Sequence, residues 1–243
     1  MRFTILLLLL MGGTSLLAQC DKGDAMAVTA LSAYLDNDVK QWDQVVNTTE
    51  VTEGNTTAHL EKAALLFGAA NAAYAKGDED KIEVYLDEME ALLKSVLKAD
   101  KENAAANGLY SAYLGMLIAK APMKGMLYGR KAGRMARQGP SFDPNNPIAH
   151  YCHGSNLFYT PTTWGGDPEG AVTALEKAIA AFPPTADGCD WFYLQTHALL
   201  GQAQVKTGDK DAARKTYQKA LALQPDFGWV KYVLMPALDK TGR

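Results

Sequence analysis

Residues 200–225 read LGQAQVKTGDKDAARKTYQKALALQP, and an earlier stretch, residues 166–183, reads GDPEGAVTALEKAIAAFP. Laid over one another, Gly166-Asp167 falls on Gly208-Asp209, Ala171 on Ala213, Leu175 on Tyr217, Ala178 on Ala220 and Pro183 on Pro225. The chain therefore uses one helix–turn–helix unit more than once. Such a unit cannot bury its apolar face alone, but stacked copies bury a continuous core. The expected fold is all-α, a superhelical array of antiparallel helix hairpins. An array of this kind offers surface rather than a reaction centre, so the expected role is binding.

The residue types explain the spacing. Gly201, Ala213 and Ala220 lack bulk, so two helices can approach closely there, and Tyr217 fills the gap between them. Gly208 can take the positive φ of a helix end, and Asp209 can cap the next helix start. Pro225 cannot continue a helix interior. With Leu200-Gly201, this pattern resembles a tetratricopeptide repeat of the exported bacterial type. It departs from the family at Gln204, where a large apolar residue is usual, and at His197, where an aromatic is common. The resemblance implies a tetratricopeptide-like α-solenoid.

The earlier copy is longer. Gly154 matches Gly201, but about five extra residues in FYTPTTWGG separate Gly154 from Gly166, against the usual repeat length. A second surplus, PTADGCDW, lies between Pro183 and Pro225. Inserts on a regular scaffold often carry function. The first holds Phe158, Tyr159 and Trp164, the second ends at Trp191 with Phe192 and Tyr193 following, and Phe158, Tyr159, Trp164, Trp191 and Tyr193 become the candidate partner- or ligand-binding residues.

Working outward, MRFTILLLLLMGGTSLLAQ reads as a signal peptide over residues 1–19. The mature chain is expected to be exported, to the periplasm or as a lipid-anchored envelope protein. Leu17-Ala18-Gln19-Cys20 resembles a lipobox, which would make Cys20 an acylation site and the chain's sole membrane contact. Ordinary cleavage near Ala18 or Gln19 is the other reading. The exported compartment permits a disulfide between Cys152 and Cys189, or two separate buried thiols.

Residues 20–103 form an N-terminal helical region with a degenerate repeat, in which helices are expected over 24–46, 58–76 and 79–98. Residues 104–243 hold the clearer repeats, and Phe142-Asp143-Pro144-Asn145-Asn146-Pro147 resembles a repeat ending. This gives about four units, with residues 227–238 as a final capping helix.

A pI of about 5.8 and a formal charge of −3 argue against a nucleic-acid partner. Hydrolase and nucleotide-loop motifs are absent from the sequence, so no enzyme, catalytic residue or cofactor is expected. His150, Cys152 and His153 are the densest metal-type cluster. On a helix, however, Cys152 points away from the two histidines, and no metal site is expected. Asp143, Asp167, Asp187 and Asp190 sit where capping explains them. Arg130, Lys131, Arg134 and Arg137 give a local basic face.

The resemblance implies a scaffold for protein–protein interaction, binding an unknown protein or peptide on a concave face built by helices over 147–157 and 192–206. The alternative is a periplasmic small-molecule binder. Asn-Leu-Phe-Tyr-Thr-Pro followed by Trp-Gly-Gly-Asp-Pro loosely resembles the exported helical T component of TRAP transport systems.

Overall fold

In a computed structural model, Cys20 and residues 25–240 are described, and they contain helices and no strands. The expected signal segment lies outside the described residues. The helices are α1 (Ala25–Asp36), α2 (Val39–Thr48), α3 (Thr56–Lys76), α4 (Glu79–Ala99), α5 (Ala104–Lys120), α6 (Gly125–Phe142), α7 (Pro147–Tyr159), α8 (Pro168–Ala181), α9 (Trp191–Lys206), α10 (Lys210–Leu223) and α11 (Met235–Lys240). They pair in order as five hairpins, from α1–α2 to α9–α10. The sequence pattern gives about four. The fifth is α1–α2, whose turn places Asn37 rather than glycine at positive φ.

One device starts most of these helices. The side chains of Asp38, Asn55, Asp78, Asn103, Asn146, Asp167, Asp190 and Asp209 each accept a backbone N–H from the first turn of the helix that follows. This satisfies donors that have no partner inside the helix. Helix α6 differs, with Lys124 at its cap position and no side-chain cap.

The repeat register is built as the residue types imply. A Cβ on Gly201 would stand 2.1 Å from the Tyr217 ring, and one on Gly154 would stand 2.7 Å from Leu175. Both pairs sit at matched positions of successive hairpins, so the small–large fit is the repeat's own packing rule. After α10, Phe227, Val230 and Leu238 are buried. The π-helical stretch Val230–Leu234 and α11 that follows it thus cover the last hairpin.

The array does not run open from end to end. Helix α9 is buried along most of its length and contacts α1 as well as its neighbours α8 and α10. The Trp191 ring lies 5.1 Å from Trp42 of α2 and 5.8 Å from Tyr34 of α1. Phe192 lies 6.2 Å from Phe67 of α3 and 4.7 Å from Tyr151 of α7. The fifth hairpin thereby docks on the first two, and the concave side between them is an aromatic core. Each such side chain buries about 150–250 Å², so the curl is held mainly by apolar burial.

A disulfide between Cys20 and Cys189 crosses the same junction. This corrects the Cys152–Cys189 pairing that the sequence permits, and of the alternative, two separate buried thiols, only Cys152 is one. Cys152 is a free thiol buried on α7 against Gly108 of α5, while Cys189 sits in the loop just ahead of α9. It also bears on Cys20 as an acylation site, because a thioether-linked lipid needs the sulfur that the disulfide occupies.

Candidate partner-binding surface

The five candidate aromatics separate into two environments. Trp191 and Tyr193 are buried: Trp191 among Tyr34, Trp42 and Phe192, and Tyr193 against Phe182 and His197. Their assignment as binding residues is corrected, since the loop before α9 exists to seat them in the core. Phe158, Tyr159 and Trp164 lie at the other insert. Phe158 is partly buried, with the Lys206 ammonium 4.6 Å from its ring centre. Tyr159 ends α7 with 66% of its surface exposed, and Trp164 is 64% exposed on a short 3₁₀ turn, Thr162–Trp164.

Tyr151, two turns before Tyr159 on α7, belongs to a polar chain that the sequence did not reveal. The Tyr34 hydroxyl donates to Gln195 Oε1 at 2.8 Å, and Gln195 Nε2 donates to the Tyr151 hydroxyl at 3.0 Å. It joins α1, α9 and α7. Burial pushes the Tyr34 and Tyr151 phenols well above their ordinary pKa, and the nearby Tyr159 hydroxyl raises both further. All three stay neutral at physiological pH and serve as hydrogen-bonding groups rather than bases. Tyr159 is thus the exposed member of a tyrosine cluster at the edge of the filled concave side.

Trp164 belongs to a different patch. Its ring packs against Gly125 at the start of α6, 3.3 Å from where a Cβ would stand. Beside Gly125, Met123, Met126 and Leu127 are 85%, 81% and 75% exposed. These three escaped the sequence reading, although a signal existed. Met126 and Leu127 fall out of phase with the buried face of α6 formed by Gly125, Ala132, Met135, Ala136 and Gly139, and Met123 lies on the 3₁₀ turn Pro122–Lys124 just before it.

The histidines hold structural positions. His150 is buried and donates through Nε2 to the Pro144 carbonyl at 2.8 Å. His197 Nδ1 donates to the Tyr193 carbonyl at 3.0 Å, and its buried Nε2 has no partner among the described residues. Among the described residues no cluster of His, Cys, Asp and Glu could hold a metal ion. Asp143, Asp167, Asp187 and Asp190 all accept nearby backbone N–H groups at turns and helix starts.

Burial lowers the pKa of both His197 and His153. The folded chain therefore favours neutral imidazoles, while the unfolded chain takes up protons below about pH 6.5. The stability these residues contribute is complete above that pH and is lost as pH falls through it. A thermal melt should drop between about pH 7 and pH 5.5, by roughly 2–4 °C for each kcal/mol lost. His197→Phe should flatten that drop, and an unchanged pH profile would show that His197 is not the titrating group.

The tetratricopeptide-repeat pattern matches residues 194–227. No curated protein matches the chain by sequence. Several solved structures match the fold, two of them with a TM-score above 0.5. The HusA haemophore from Porphyromonas gingivalis superposes with a TM-score of 0.56 at 19% identity, over 76% of this chain and 94% of that one. TTC0263, a thermophilic tetratricopeptide protein of Thermus thermophilus, gives 0.55 at 14% identity, over 88% and 97%.

Proposed function

We propose that this tetratricopeptide-repeat protein is an exported, non-enzymatic scaffold that holds a protein partner at the tyrosine-rich edge of its concave side. Two features support export: the leader-like residues 1–19, and a disulfide of the kind that persists in oxidising compartments. The scaffold reading follows from the fold, since arrays of this type vary surface on fixed packing. The observation that carries the site is Tyr159. It is the large aromatic left exposed at the end of α7, and its hydroxyl interacts electrostatically with the hydrogen-bonded Tyr34 and Tyr151. Exposed aromatic anchors with polar groups beside them are typical of binding hot spots.

The test is site-specific photocrosslinking in the native cells, with a photoreactive phenylalanine at position 159 and a control at Val84, which is exposed on α4. A protein adduct at 159 that is absent at 84 is expected. The same adducts at both positions, or none at 159, would contradict the assignment. Tyr159→Ala should abolish the adduct's partner in pull-downs while changing stability by no more than about 0.5 kcal/mol.

The alternative reading is a small-molecule carrier, and one structural neighbour is named as a haemophore. At 19% identity that likeness supports the fold. Trp191 and Phe192, which such a carrier would turn toward a cavity, are packed against Trp42, Phe67 and Tyr151 instead. A shifted haem absorption band on titration with haem would revive this reading.

A further inference from the structure

The α5–α6 turn is the most apolar exposed point of the described surface, and its surroundings carry one sign of charge. Met123, Met126 and Leu127 each leave at least three-quarters of their surface in water, and Trp164 leans against Gly125 to widen the patch. Between Glu102 and Asp143 the sequence has no carboxylate, but it has Lys120, Lys124, Arg130, Lys131, Arg134 and Arg137. In a chain of net charge −3 this is a strong local asymmetry. Met126 heads a helical stripe that continues through Arg130, Arg134 and Arg137, and Leu127 heads one that continues to Lys131. The outer side of α6 is therefore apolar at its tip and basic along its length.

The neighbouring carboxylates do not neutralise this face. Glu79 and Glu83 on the adjacent hairpin pair with Lys120. Asp167, near Trp164, caps α8. Lys131 rests over the Tyr110 ring at 4.4 Å, and Arg130, Arg134 and Arg137 enter none of the ion pairs among the described residues.

We infer that this tip is a peripheral docking site for an anionic membrane surface. A protruding turn with unbranched methionines, a leucine and a tryptophan suits immersion of about 5–10 Å into the acyl–headgroup boundary. Tryptophan is favoured at that depth. The basic stripes then stand among the headgroups, where each cation adds to the attraction and salt weakens it. A pocketed protein interface fits less well, because Met123, Met126 and Leu127 are each at least three-quarters exposed and the charged groups that flank them are all cationic. No helix among the described residues is long and apolar enough to cross a membrane. The contact proposed is therefore superficial, and it needs no acyl chain on Cys20.

The test is co-sedimentation of the full mature chain with vesicles of phosphatidylcholine alone or with about one-third phosphatidylglycerol, at about 0.05 M and 0.5 M salt. Binding to the anionic vesicles at low salt, at least about tenfold weaker at high salt and on neutral vesicles, is expected. The Met126→Glu/Leu127→Glu and Arg130→Glu/Arg134→Glu pairs should each weaken it by about tenfold or more while circular dichroism stays unchanged. Tyr159→Ala should bind vesicles like the unaltered protein, which keeps this site separate from the partner site. Absence of binding at low salt, or variants that bind like the parent, would overturn the proposal. Binding to polyglutamate but not to vesicles would overturn it in favour of an acidic protein partner.

Discussion

Replacing Trp191 with alanine should lower the unfolding free energy by about 3–5 kcal/mol, the range for deleting a large buried aromatic. The cost is high because no single neighbour can collapse into the space. The Trp191 ring is held edge-on by Trp42 and Phe192, each 5.1 Å away, and by Tyr34 from a third direction. Gly68 of α3 makes room for this meeting. A Cβ there would fall 2.5 Å from Trp42 and 3.0 Å from Trp191. The cavity would open between hairpins that lie far apart in the chain, at the seam that closes the array. Urea titration with Trp164→Ala as the control separates the two environments. The control should change stability by about 0.5 kcal/mol or less, as exposed substitutions do. A loss near zero for Trp191→Ala would mean that α9 does not dock on α2 and α3.

Cys189→Ser should cost about 2–4 kcal/mol and remove most of the difference between melts run with and without reductant. Cys20 and Cys189 are 169 residues apart in sequence. Chain-entropy reasoning for a loop of that size gives about 5 kcal/mol, and measured bonds usually deliver less. The bond also fixes the residue nearest the N-terminus in the described chain to the entrance of α9, so its loss should loosen α1 against α9 first. Hydrogen exchange should show α1 and α2 gaining exchange in the serine variant while α5 to α8 keep their protection. Uniform loss of protection would mean that the staple supports the whole array rather than its seam.

Much of the array was legible in the sequence because its rules are local. Gly201 against Tyr217, the Gly208-Asp209 turn and the caps at Asp167, Asp190 and Asp209 are fixed by spacings of a few residues, and each appears where the pattern places it. The first hairpin was harder to count, since Asn37 replaces the turn glycine. The closure of the array was not legible. Contacts such as Trp42–Trp191 and Phe67–Phe192 join segments more than a hundred residues apart, and one sequence carries no signal for such pairing. For the same reason Trp191 and Tyr193 looked like surface anchors when their insert builds the core. The disulfide partner failed likewise: three cysteines allow several pairings, and only the docking of α9 brings Cys189 to Cys20.

Non-reducing peptide mapping of the protein by mass spectrometry tests the closed array most directly. One cross-linked species joining the peptides that contain Cys20 and Cys189 is expected, with Cys152 alkylated only after denaturation. Acyl chains on Cys20, or a Cys152–Cys189 bond, would contradict it.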